Sequence, residues 1–399
     1  MPLAVYILGL AIFAQGTSEL MLAGLLPELA ADLGVSVPDA GLLISAFAMG
    51  MLVGAPVLAV VTLRWPRRTA LLTFMGIFAL SHVVGALTTS YGMLFATRVA
   101  GAFVYAGFWA VAATTAIGLV PPNARGKAMS VVAGGLTVAT ILGLSLGTVI
   151  GQHLGWRAAF WAVAALSVLA AAGVWATIPG GRPEHAATPR LSAELRAMAA
   201  PRLWLSYGTT ALTTGALLAS FSYLSAMLVD TTGIESAWVP AVLALYGAGS
   251  LIGITIGGRS ADARPFLSLY TGVAGLIVTS AALAMGASAA AVAVPLIFLL
   301  GAFGFATNPA LNTRVFALAK DAPTLAAAVN VSSFNVGITI GPWLGGLAIG
   351  GGFGYPSVAW VGAAIGVVSL GTIALSAGLQ RRASAVAGAA EEIGIRSAV

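Results

Sequence analysis

Glu19 sits in Gln15-Gly16-Thr17-Ser18-Glu19-Leu20-Met21, with Ile7, Leu8, Leu10, Ile12 and Phe13 before it and Leu22, Leu25 and Leu26 after it. A carboxyl group in such a run is either protonated or costly. A charged residue at the middle of an apolar membrane helix is disfavoured by about 2.5–3.5 kcal/mol. A group that loads and releases a proton suits this setting, because intramembrane carboxylates mark proton and substrate paths. No other Asp or Glu lies as deep in an apolar run. Gln15 lies one helical turn earlier on the same face. Its amide fits a hydrogen bond to the carboxyl, to a bound molecule, or across to another helix.

Arg98 is the second charge inside an apolar run. Counting at 1.5 Å per residue from the helix ends puts Arg98 roughly 10 Å and Glu19 roughly 12 Å below the same face. A guanidinium at that depth either senses the carboxyl, braces backbone carbonyls, or snorkels to the surface. Tyr105 and Trp109 follow Arg98 at two and three turns. Tyr207, Phe221, Tyr223 and Tyr246 are candidates for an opposite wall, since drug-sized pockets are mostly apolar and aromatic. Each also suits plain core packing. His82 reads as a packing residue, because the sequence identifies no partner for it. Asn308 and Asn312 lie a turn apart, and Asn330 and Asn335 follow; such amides bond across helices, form a gate, or contact a bound molecule.

The elements that hold these residues are membrane helices. The 399 residues are 59% hydrophobic and 8% charged, against about 25% charged in soluble domains. The expected fold class is an all-α membrane protein. Continuous apolar runs exclude a transmembrane β-barrel. The N-terminus has no basic n-region or A-x-A site, so the first span is expected to stay in the membrane. Twelve spans are expected at about 3–27, 39–63, 69–89, 92–119, 127–151, 157–178, 203–228, 237–258, 265–287, 291–317, 323–349 and 355–378. Of the 18 Lys and Arg, 16 fall in alternate segments between or at the ends of these spans; Arg157 alone lies in the intervening loops, and Arg98 lies inside a span. The positive-inside rule then places both termini in the cytoplasm. This placement, not nucleic acid, accounts for the net charge of +6.

Residues 179–201 hold Gly180, Gly181, Pro183, Pro189 and mixed charges, and read as a cytoplasmic linker. It divides the chain into a six-helix bundle at 1–178 and a second at 202–380, with a tail at 381–399; Ser192–Ala199 suits a short interfacial helix. The halves look like a repeat. Gly134, Gly143, Gly147 and Gly151 in span five have counterparts in Gly337, Gly341-Pro342 and Gly345 in span eleven, with the four-spaced glycines aligned at an offset of 194. Glycines at this spacing let helices approach closely, and Pro342 suits a bend. Two such halves about an axis along the membrane normal describe the major facilitator architecture, with a site near the midplane between them.

Over its whole length the chain resembles the twelve-span drug:proton antiporters of the major facilitator superfamily, and among them phenicol exporters. The resemblance rests on Ala14-Gln15-Gly16-Thr17-Ser18-Glu19-Leu20-Met21-Leu22, Ala40-Gly41-Leu42-Leu43 with Ser45-Ala46-Phe47, Trp65-Pro66-Arg67-Arg68, and Gly155-Trp156-Arg157. Arg98 matches the family's fourth-span arginine, and the span-five glycines match its antiporter glycines, with Thr148 in place of the usual proline. The loop after span two departs from the family's pattern, with Leu63 for its Asp and Pro66 for its Gly. The Asp version stands after span eight, at Gly258 and Asp262 with Arg264. The resemblance implies a proton-coupled exporter of a small amphipathic drug, most simply chloramphenicol. Its partners would be drug, protons and the lipid bilayer. No cofactor, metal or nucleic acid is implied, and the fold is usually monomeric. A sugar or nucleoside exporter of the same fold is the alternative. An enzyme lacks support: there is no Cys, three scattered His and one deep carboxylate. No GxxxxGK[ST] phosphate loop exists for ATP-driven transport.

Overall fold

The structure, a computed structural model, describes residues 1–62, 65–121, 124–180, 200–261, 264–319 and 323–396. Twelve helices among them are long and apolar enough to cross a membrane. We number them α1 Leu3–Leu33, α2 Val37–Val61, α3 Arg67–Leu87, α4 Tyr91–Gly118, α5 Lys127–Leu154, α6 Trp156–Thr177, α7 Pro201–Asp230, α8 Ser236–Ala261, α9 Pro265–Gly286, α10 Ala290–Leu318, α11 Pro323–Ala348 and α12 Ser357–Arg396. An even number of crossings puts both termini on one face, called here the terminal face; the opposite one is the far face. Of the expected linker at 179–201, residues 181–199 lie outside the described residues, as do Leu63, Arg64 and Asp262. The stretch expected as a tail continues α12 as helix to Arg396.

The helix ends follow local chemistry. Ser90 caps α4 by accepting from the Met93 amide. Pro201 and Pro265 open α7 and α9, where proline's missing N–H costs nothing. Gly34 ends α1 at φ +63°, the left-handed conformation that favours glycine. One expectation needs correcting: α1 does not stop at Pro27 but runs through it to Leu33. That places Glu19 in the middle of the helix. Three other helices are interrupted. A π-turn spans Ala139–Gly143 in α5, α7 breaks at Ser222 and Tyr223, and α10 breaks at Thr307.

The two halves pack alike. In the first, α1 lies against α5 and α6, α2 against α4, and α3 against α4 and α6. In the second, α7 lies against α11 and α12, α8 against α10, and α9 against α10 and α12. The glycine rows explain the tightest pairs. Gly143, Gly147 and Gly151 lie against Thr17, Met21 and Leu25 of α1; Gly337 and Gly341 lie against Ala211, Gly215 and Ala219 of α7. A methyl group at any of these positions would collide. Gly134 is an exception to the expected row: it faces open space, and Gly135 makes the close contact instead, with Gly9 and Phe13. A one-residue step turns a helix by about 100°, enough to change neighbours.

The halves meet through α2 with α11, through α5 with α8, and through α1 with the far-face end of α7. Gly247 of α8 rides on Thr140 and Ile141 in the π-turn of α5. Side-chain hydrogen bonds cross between the halves from Gln152 to the Ser236 carbonyl (2.7 Å), Ser225 to Ala23 (2.7 Å), Ser45 to Thr339 (2.8 Å) and Ser332 to Leu52 (3.4 Å).

Candidate functional site

Glu19 projects from the middle of α1 and is partly buried, while its neighbour Ser18 is fully buried. Arg98 on α4 is only 2% exposed, so it does not snorkel. Its Nη1 donates to Ser18 Oγ at 2.7 Å, and its guanidinium carbon lies 4.2 Å above the Phe47 ring centroid. Arg98 and Tyr105 both lie within electrostatic range of Glu19. Arg98 nevertheless makes no ion pair with it: among the described residues the ion pair within 4.0 Å is Arg157 with Asp32. Nε and Nη2 of Arg98 are buried without a partner. Leaving buried donors unpaired costs about 1–3 kcal/mol each, more when charged.

His82 is a buried, satisfied packing residue, as the sequence suggests, and it has a side-chain partner that the sequence does not identify. Its Nε2 lies 2.6 Å from Ser18 Oγ, and its Nδ1 lies 2.8 Å from the Phe78 carbonyl oxygen. The ring packs between Phe78 and Phe160, at centroid distances of 4.3 and 5.5 Å. Ser18 thus joins α1, α3 and α4, and it is the member of the cluster that the sequence reading missed. Its place beside the acid in Ser18-Glu19 was the available signal.

Gln15 lies one turn from Glu19, is 1% exposed, and has no partner for either amide atom. Trp109 Nε1 donates to Tyr105 Oη at 3.3 Å. Tyr105 is buried against Phe47 and Phe78. On the second half, Phe221 stacks on Tyr246 at 4.3 Å, and Phe305 meets Tyr246 edge-on at 6.3 Å. Asn308 opens the second segment of α10.

Two expected wall residues bond their hydroxyls to backbone carbonyls of α11. Tyr207 donates to the Ala326 carbonyl at the terminal-face end of α7, in a cluster with Leu203 and Val315. Tyr223 donates to the Pro342 carbonyl at the far-face end and fills the space against Gly41 and Gly346. Sixteen residues, about 24 Å along the helix axis, separate them. Asn312 and Asn330 bond to each other at 2.8 Å, and Thr210 donates to Asn330 at 3.3 Å. All three belong to the second half, so this ladder holds that half together and does not bridge the two. Arg264 is exposed at the terminal face. A cavity of about 620 Å³ opens between α2, α3 and α4, lined by Leu58, Trp65, Phe74 and Phe103, and includes none of the site residues.

At the far face, Arg157 pairs with Asp32, donates to the Thr88 carbonyl at 3.1 Å and lies over Trp156. This gives Gly155-Trp156-Arg157 a bracing role, tying α6 to α1 and to the end of α3.

Comparison with known proteins agrees with this architecture. The folded chain is similar to a bacterial homologue of the human lysosomal transporter Spinster, solved inward-facing and unoccupied, with TM-score 0.67, 18% identity and 94% of each chain covered. It is also similar to the human organic anion transporter MFSD10 (TETRAN), with TM-score 0.64 and 16% identity over 93% of this chain and 98% of that one. At these identities the likeness shows the fold. In sequence, the chain is 45% identical over 372 residues to a chloramphenicol resistance protein of Streptomyces lividans, covering 93% of this chain and 95% of the relative. It is 34% identical over 380 residues to the inner membrane transport protein YdhP of Escherichia coli (strain K12), covering 95% and 97%. It is 28% identical over 369 residues to a probable sugar efflux transporter of Helicobacter pylori, covering 92% and 93%. The family model for the Major Facilitator Superfamily matches residues 8–333. Twelve helices in two like-packed halves, a midplane carboxylate and these matches have one reading: the chain belongs to the Major Facilitator Superfamily and is a multi-pass membrane transporter.

Proposed function

We propose that this transporter exports chloramphenicol or a close phenicol in exchange for protons, with Glu19 as the proton-exchange group. The carrying observation is Glu19 itself: a carboxyl group at mid-helix, partly accessible, beside a buried arginine that does not pair with it. The name of the Streptomyces relative supports the substrate. The terminal face is the cytoplasmic one, from the distribution of Lys and Arg, and the membrane is the cell's inner or plasma membrane, in keeping with YdhP.

In this reading a proton from outside neutralises Glu19, and drug entering from the cytoplasm displaces it as the halves rock. Gln15, with its unpaired amide, orients the drug's amide. Tyr105 and Trp109 on one side and Phe221 and Tyr246 on the other offer aromatic surface, and Asn308 offers a polar contact. The glycine rows and Pro342 let the helices slide at close range. The six-helix halves 1–178 and 202–380 are the rocking units, and the protein works as a monomer. Exchange of a neutral drug for a proton moves charge, so the membrane potential contributes about 2.3 kcal/mol per charge per 100 mV.

The sugar efflux relative supports a second substrate class. Proteoliposomes with an imposed proton gradient separate the two. Uptake of chloramphenicol and thiamphenicol that collapses with a protonophore is the expected result. Transport of sugars or nucleosides with no phenicol transport would replace the drug reading.

A further inference from the structure

The buried groups beside Glu19 form a hydrogen-bond chain with a direction. The Phe78 carbonyl can only accept, so His82 Nδ1, 2.8 Å away, carries the ring proton and Nε2 presents a lone pair. Ser18 Oγ, 2.6 Å from Nε2, therefore donates to the ring. Its oxygen is left to accept from Arg98 Nη1 at 2.7 Å. One backbone carbonyl thus sets the order Arg98 to Ser18 to His82 to Phe78. Ser18, His82 and Arg98 are 0%, 3% and 2% exposed. The guanidinium is held through one nitrogen by a neutral partner, with the N–H groups of Nε and Nη2 idle, and the next residue along α1 is Glu19.

The titratable and charged groups facing this cluster are Glu19 on α1, Arg98 and Tyr105 on α4, and His82 on α3. α2 contributes Phe47 and α6 contributes Phe160. α5 meets α1 there through Leu136, Ala139 and Thr148.

We propose that Ser18 and His82 are a neutral rest for the Arg98 guanidinium, which sits on them while Glu19 holds its proton and turns its idle N–H groups onto the Glu19 carboxylate when that proton leaves. Arg98 keeps its charge throughout, and the Glu19 proton goes to the aqueous path. Only hydrogen bonds to the guanidinium change. His82 is a positioning residue that acts through Ser18 and touches neither drug nor the exchanged proton. The inference rests on Glu19 as the proton-exchange group.

The test is infrared titration of the Glu19 carboxyl band in the purified, drug-free full chain, the band being assigned by its loss in Glu19→Gln. His82→Phe keeps aromatic packing against Phe78 and Phe160 but removes the acceptor. Ser18→Ala removes the hydroxyl with less disturbance and carries the test if His82→Phe folds poorly. Without its rest, Arg98 stays on the carboxylate and favours the ionised form. The protonation midpoint is expected to move to lower pH by about one unit in both variants. It is expected to stay at the wild-type value in His82→Gln, whose amide oxygen accepts from Ser18. The double variant is expected to move no further than either single one, since each breaks the same chain. An unchanged or higher midpoint in Ser18→Ala and His82→Phe overturns the proposal, as does a shift in His82→Gln equal to that in His82→Phe. No drug is present, so failure of chloramphenicol to drive proton release counts against the transport reading and leaves this result standing.

Discussion

In the first half, α5 lays Gly143, Gly147 and Gly151 along Thr17, Met21 and Leu25 of α1. In the second, α11 lays Gly337 and Gly341 along Ala211, Gly215 and Ala219 of α7, with Gly345 against the Tyr223 ring. The offset of 194 that aligns the glycines also carries Glu19 onto Thr213. There the likeness ends. Thr213 is buried and shares a 2.7 Å hydrogen bond with Ser369. Around it the second half is knit by neutral pairs, Thr209 with Thr372 and Ser220 with Ser280. The first half has instead a carboxyl group, a guanidinium without an ion pair and an imidazole in the matching region. The two halves share a packing scheme, and the deep carboxyl group, guanidinium and imidazole cluster in one of them.

Arg98→Gln should give the largest effect. It removes the charge facing Glu19, and proton-coupled drug transport should fall on the order of tenfold or more, the equivalent of about 1.4 kcal/mol in coupling. Thr213→Val, at the equivalent of Glu19, should transport as wild type does. Equal losses in the two variants, measured as drug uptake into proteoliposomes, would break the division between the charged cluster at Glu19 and the neutral one at Thr213.

The scaffold should respond symmetrically. Gly147→Leu and Gly341→Leu force side chains into full helix contacts, and each should lower stability in detergent by about 1–3 kcal/mol. Gly134→Ala, which faces open space, should stay within about 0.5 kcal/mol. A thermal unfolding series on the three proteins checks this. A loss in only one half would mean that the glycine rows are not equivalent.

Smaller still is the amide ladder. Asn330→Leu removes interhelical bonds worth about 0.6 kcal/mol each on average, so a modest drop in unfolding temperature is expected with the pH profile of transport unchanged. A displaced profile would bring the second half into the coupling machinery.

Much of this was legible in the sequence, because the bilayer imposes length and polarity on each span. Twelve apolar runs, the repeated glycines and the lone deep acid follow from composition along the chain. What was hidden depends on rotation and on distance. Pro27 reads as a stop, yet α1 continues, since a helix can carry proline where other groups meet the freed carbonyl. Gly134 and Gly135 differ by one step of rotation, and only packing decides which faces α1. His82 and Ser18 are 64 residues apart, so no local pattern joins them. Tyr207 and Tyr223 share α7 with Phe221, but their hydroxyls find backbone carbonyls at its two ends. A tyrosine in a span announces an aromatic surface without saying which depth it serves.

The central claim is that Glu19 is where drug and proton exchange. Proton release on adding chloramphenicol to the purified protein in weakly buffered detergent tests it most directly, with wild type and Glu19→Gln side by side. The account predicts release from wild type and none from Glu19→Gln. Equal release from both would contradict it and move the coupling group elsewhere in the chain.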